Sequence, residues 1–167
     1  MSGCWSTARG GGVGHLLVQL APARGIRVAA VSGSADRERL ADLGAEVCRA
    51  DSGSPAAIAA ARLGHGLDAA MDMVGGRLTS TQAYVRDGGG LATIVDLEGD
   101  FGEAIDRNLS IHGVLLRPDG HVLAGLARSV EAGLRPTVRE VFDLADAKAA
   151  HERLVAGGVG GKLALTT

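Results

Sequence analysis

Short, continuous apolar runs recur along this chain with helical periodicity between them, and that alternation leaves few folds open. "RVAAVS" (27–32), bounded by Gly25 and Gly33, reads as a strand buried on both faces. "LDAAMDMV" (67–74), "GLATIV" (90–95), "LSIHGVLL" (109–116), "TVREVF" (137–142) and "KLALT" (162–166) repeat the pattern, with a shorter run from Glu46 to Cys48. Between them, Val13, Leu16, Leu17 and Leu20 fall at i, i+3, i+4 and i+7, the apolar stripe of a helix. Pro22 should fray or kink the end of that helix, and Gly25 marks its close. Further helical stretches are expected over 35–43, 56–63 and 77–86, and around Leu123, Leu126, Ala127 and Val130. A last one carries Ala147, Ala150, His151 and Leu154, with Asp143 or Asp146 able to cap it. "DGGG" (87–90) reads as the turn before the strand that follows. Strands alternating with helices of this length mean βαβ units: an α/β fold with a mainly parallel sheet and helices on both faces.

The chain has 167 residues, enough for one domain with a real core. Apolar residues make up 46% and aromatics only 2%, so that core must be built from Ala, Val, Leu and Ile. A net charge of −2 leaves no basic footprint for nucleic acid. Cys4 and Cys48 are too few for a disulfide framework and form no CxxC. His15, His65, His112, His121 and His151 show no metal-ligand spacing, so they read as surface or packing residues. No charged segment followed by an apolar stretch opens the chain, and no apolar run approaches the ~20 residues of a membrane span. The expectation is a soluble, cytoplasmic domain with no membrane partner.

"ARGGGVGHLLVQLA" (8–21) is the segment that carries chemistry. Gly10, Gly11, Gly12 and Gly14 run into the first helix, where a dinucleotide site needs glycine for three reasons. One permits a sharp turn, one lets the backbone reach a pyrophosphate, and one lets helix pack closely on strand. The helix N-terminus then favours phosphate. About 20 residues on, NAD sites place an acid for the ribose 2′-hydroxyl. Here stand Val31, Ser32, Gly33 and Ser34, followed by Arg37. Hydroxyls and a guanidinium suit a 2′-phosphate and favour NADPH. Equally, Ser34 or Asp36 caps the next helix and Arg37 is an ordinary solvated charge.

"GGVGHLLVQLAPARGIRVAAVSGSADRERLADLGAEV" closely resembles quinone oxidoreductases of the medium-chain dehydrogenase/reductase superfamily, whose wider membership is zinc-type alcohol dehydrogenase-like. "LDAAMDMVGG", "RDGGGLATIV", "RPDGHVLAGLARSVEAGLRPTV" and "LADAKAAHERLVAGGVGGKLALT" match the same family in the same order. The resemblance covers about residues 10 to 167. It implies a Rossmann-type doubly wound domain and hydride transfer from NADPH to a quinone or enone. The family's AxxGxxG falls on Ala8, Gly11 and Gly14, with Gly12 and Val13 in the same turn. Its 2′-phosphate contacts fall on Ser34 and Arg37, beside Ser32. Its DxVGG stretch falls on Asp72, Val74, Gly75 and Gly76, and Val95 and Leu116 lie where the family lines the nicotinamide pocket. Ala50 stands where the family often has an adenine-packing Tyr, which should weaken cofactor binding.

The resemblance also implies a missing part. The family's N-terminal GroES-like catalytic domain, which covers the nicotinamide, is expected to be absent. The division is then an aberrant segment at 1–9, an NADP-binding domain at 10–135, and a segment at 136–167 that in the family packs on the missing domain. Half a cleft holds substrate and nicotinamide poorly in near-attack geometry. No catalytic or metal-binding residue is therefore nominated. Family members often pair through the strand matching 109–116, so a homodimer is expected there. The competing expectation is a non-catalytic cofactor-binding module or a truncated product without activity.

"SGCWSTARG" has neither an apolar run nor strand alternation, so the first strand is expected to be degenerate or missing. Back-translated and shifted two bases forward, residues 1–9 allow Val-Gly-Val-Leu-Val-His-Gly-Ala, with Leu forced at the Cys4–Trp5 junction. The segment thus reads as an out-of-frame version of the family strand, the alternative being a divergent or short N-terminus.

Overall fold

The computed structural model describes residues 3–6, 11–49, 56, 58–59 and 66–167. Six strands form one sheet: β1 (Gly3–Ser6), β2 (Arg27–Ser32), β3 (Glu46–Arg49), β4 (Leu67–Asp72), β5 (Val85–Thr93) and β6 (Ser110–Gly113). Their order is β3-β2-β1-β4-β5-β6 with every pairing parallel, which is the doubly wound dinucleotide-binding order. The helices are α1 (Gly14–Leu20), α2 (Arg37–Asp42), α3 (Leu78–Thr81), α4 (Gly102–Asp106), α5 (Gly120–Glu131) and α6 (Ala147–Val155). Ala56, Ile58 and Ala59 are also helical; the rest of the helix expected over 56–63 lies outside the described residues. β7 (Val138–Asp143) and β8 (Lys162–Thr166) form a second, two-stranded parallel sheet.

Side-chain alternation in β2 shows why a continuous apolar run was required. Val28 and Ala30 pack with Val18 of α1 and Leu40 of α2 in one buried cluster. Ala29 and Val31 point to the other face and join Leu67, Val85 and Leu91. A period of two thus serves two cores, and a polar residue at any of these four positions would be buried. Alanines at 29 and 30, both fully buried, supply little volume, so the layers pack through backbone approach and aliphatic neighbours.

Two expectations need correction, and that of a degenerate or missing first strand resolves to the former: Gly3–Ser6 pairs with both β2 and β4 and holds the centre of the sheet. Only its sequence is degenerate. Parallel neighbours on both sides satisfy its backbone whatever its pattern, which is how context overrides β-propensity. "DGGG" is not a turn before β5 but an irregularity within it, where the pairing with β4 shifts between Leu67 and Ala69. Gly88 sits at φ +69°, and a Cβ on Gly89 would stand 2.8 Å from the carbonyl oxygens of Arg86 and Asp68. Glycine is therefore needed there for both conformation and close approach. Finally, β6 ends at Gly113, so Val114, Leu115 and Leu116 lie beyond the strand expected to contain them.

At the other boundaries the agreement is close. α1 stops at Leu20, a 3-10 turn spans Pro22–Arg24, and Gly25 adopts φ +73°. Asp143, not Asp146, makes the capping contact, accepting from Ala145 N–H at 3.0 Å ahead of α6. Among the described residues, no helix is long and apolar enough to cross a membrane.

Candidate functional site

The carboxyl ends of β1, β2, β4 and β5 all open on one side of the sheet, where open parallel sheets bind ligands. On the β2 side of β1 lies a cavity of about 700 Å³. One wall is the turn at Gly11 and Gly12 and the loop at Gly33, Ser34 and Asp36. The opposite wall comes from the far end of the chain, residues 157 to 163, with Leu154. Lys162 reaches across: a Cβ on Gly12 would stand 2.6 Å from its Nζ and 2.7 Å from its Cδ. Gly12 is therefore a cradle position in which a side chain and the lysine stem compete for one space. Lys162 is exposed and makes no ion pair among the described residues. A glycine-lined cavity with one uncommitted ammonium suits a phosphate.

Asp36 also borders this cavity, yet its carboxylate pairs with Arg39 at 2.7 Å. Its charge is thereby countered, while Arg37, the first residue of α2, stays exposed and unpaired among the described residues. Ser34 is also one of the residues that line the cavity.

On the β4 and β5 side, Asp72 organises the loop. Its carboxylate is 1% exposed and accepts from the N–H groups of Val74 and Gly75 at 3.0 Å and Arg77 at 2.8 Å. Thr93 Oγ1 braces the next loop through the N–H of Val95 at 3.1 Å. The two loops adjoin, a Cβ on Gly75 standing 3.6 Å from Val95 Cγ2. Val74 and Val95 are thus held at 44% and 40% exposure on a shared rim.

Of the residues singled out from the sequence, Gly11, Gly12 and Ser34 meet at the cavity. Gly14 is buried at the start of α1 and Val13 precedes it, 45% exposed. Ser32 is not a cavity residue: it is 2% exposed and its hydroxyl donates to Gly33 O at 3.1 Å, which makes it a brace for the loop. Arg37 follows the lining residue Asp36 but is not itself in the wall, and Leu116 is 86% exposed and does not line the cavity. Ala8 and Ala50 lie outside the described residues. Lys162 and its glycine loop were not anticipated. A signal existed: the tetrapeptide GGVG occurs at 11–14 and again at 157–160, and the two copies border the same cavity. Among the described residues, no three His, Cys, Asp or Glu side chains come together as a metal-binding group.

Comparison with known proteins fits this geometry. A sequence model described as zinc-binding dehydrogenase matches residues 43–165. The chain is 29% identical over 173 residues to "Probable quinone oxidoreductase" of Schizosaccharomyces pombe, covering 95% of this chain and 53% of that protein. It is similar to the solved structure of the quinone oxidoreductase from Coxiella burnetii, with 27% identity and a TM-score of 0.83. That match covers 99% of this chain and 53% of the other. A structure described as an NAD-dependent alcohol dehydrogenase gives 28% identity and a TM-score of 0.86, covering 99% of this chain and 51% of the other. The chain thus spans about half the length of the relatives it matches.

Proposed function

The chain belongs to the zinc-binding dehydrogenase family, and on that premise we propose that it is the nucleotide-binding half of an NADPH-dependent quinone or enone oxidoreductase. The observation that carries this reading is the cavity that places Gly11, Gly12, Ser34 and Lys162 around one space at the carboxyl end of a doubly wound sheet. Lys162 and the glycine backbone hold the pyrophosphate, Ser34 and Arg37 the 2′-phosphate, and the rim at Val74 and Val95 the nicotinamide. Bound there, the reduced nucleotide supplies hydride to a quinone or enone.

Substrate placement and water exclusion need surface that these residues do not supply. Val138, Val141, Leu154, Val155 and Leu165 are 46–83% exposed on the C-terminal unit, which we read as the face that meets a catalytic domain. Alone, the chain is then a cofactor-binding module with little turnover. The reading also places it in the cytoplasm and pairs two copies through 109–116, where β6 is the outermost strand of its sheet.

Cofactor choice tests the site. Arg37→Ala is expected to weaken NADPH binding about ten-fold, the low end for a charge-assisted contact at an exposed position. NADH affinity should stay within two-fold, as it lacks the 2′-phosphate. Fluorescence titration with both nucleotides reads the difference; an equal effect on both would remove Arg37 from the 2′-phosphate site.

A further inference from the structure

His15 is 1% exposed, yet both ring nitrogens are committed. Nδ1 lies 2.9 Å from Gly11 O, and Nε2 lies 3.0 Å from Thr137 N. A carbonyl only accepts and a backbone N–H only donates. Nδ1 must therefore carry the proton and Nε2 must be bare, so the ring is neutral in one tautomer. A doubly protonated ring would set its Nε2–H against the N–H of Thr137.

Each partner leads to a wall of the cavity. Gly11 O accepts from the imidazole and, at 3.3 Å, from the N–H of His15 itself, so this carbonyl is turned toward α1. In a planar trans peptide the N–H of Gly12 then points the opposite way, out of the turn. On the other side, Thr137 O accepts from the N–H of Lys162 at 2.8 Å, at the start of β8. The connection closes on itself: Gly11, His15, Thr137, Lys162, and back over Gly12 through the lysine stem. One turn along α1, Gln19 grips the same segment, accepting from Arg135 N–H at 2.9 Å and donating to Arg135 O at 3.1 Å.

We propose that His15, as the neutral Nδ1–H tautomer, is a positioning residue that fixes the nucleotide turn and the C-terminal GGVG loop to each other. It touches no nucleotide. It sets the Gly11–Gly12 peptide and the approach of Lys162, so that one imidazole determines the width of the cavity. Packing alone asks only for a flat ring, whereas this role asks for a donor on one edge and an acceptor on the other. The inference rests on the nucleotide-binding reading above for its functional meaning.

The test compares His15→Phe, which keeps the ring and loses both bonds, with His15→Gln, whose amide keeps one donor and one acceptor. In the cofactor-free chain, long-range proton–nitrogen spectra should show His15 protonated at Nδ1 only. His15→Phe should speed amide exchange at Thr137 and Lys162 at least ten-fold, since a lost local bond opens local structure. It should also weaken NADPH binding about ten-fold, the change that follows from losing one such link. His15→Gln should recover most of both. A ring protonated at Nε2, unchanged exchange in His15→Phe, or a Gln variant no better than Phe would each overturn the proposal. Failure of the unaltered chain to take NADPH would instead sink the functional reading, and the exchange and tautomer data would still decide the coupling.

Discussion

Asp72→Ala should lower the thermal midpoint by about 10 °C, the largest loss of stability expected from one polar substitution in this chain. The carboxylate is 1% exposed and accepts three backbone N–H bonds within five residues, so it stands in for the hydrogen bonds that a loop cannot make for itself. Removing it leaves three part-buried donors without their partner, at a cost of about 1–3 kcal/mol each before water compensates, or about 3–5 kcal/mol in all. For a domain of this size each kcal/mol is worth about 2–4 °C. Asp72→Asn is the informative companion. It can retain the Oδ1 bonds to Val74 and Gly75 but meets Arg77 N–H with a second donor, so roughly half the loss should remain. Thermal unfolding of the three proteins checks this; a loss below about 1 kcal/mol in Asp72→Ala would mean that water satisfies the loop.

Gly12→Val should abolish NADPH binding, by at least about 100-fold, while moving the thermal midpoint little. The two effects separate because of what the new side chain meets. Gly12 has no left-handed backbone conformation, so a branched residue brings no φ penalty. Its neighbours are the distal atoms of Lys162, which can swing into solvent at small cost. The same movement takes the ammonium off the cavity floor and fills the approach to the turn. Equilibrium titration beside thermal unfolding reads both quantities. Retained affinity would show that phosphate does not approach Gly12.

What the sequence revealed follows from the range of the interactions involved. "RVAAVS" matches its strand residue for residue because double-sided burial imposes a continuous apolar run, and "KLALT" matches as well although β8 is exposed or half-buried along its length. Pro22 and Gly25 mark the end of α1 through their own backbone limits. β1 was illegible because its pairing is set by neighbours far along the chain, and "DGGG" misled because glycine marks a bulge as readily as a turn. At the site, the glycine turn and Ser34 were legible as a local motif. Lys162 and His15 were not, since their roles depend on contacts more than 100 residues apart in sequence, as in the His15–Thr137 bond. Only the recurrence of GGVG at 157–160 hinted that the end of the chain returns to its beginning.

The most direct test of nucleotide binding is a titration of the unaltered chain with NADPH, followed by nicotinamide fluorescence and by thermal unfolding. The account predicts a saturable fluorescence change and a stabilisation of about 2.7 kcal/mol at 100 times the dissociation constant. At about 2–4 °C per kcal/mol, the midpoint should rise by about 5–10 °C. A flat titration with an unmoved midpoint at millimolar NADPH would contradict it.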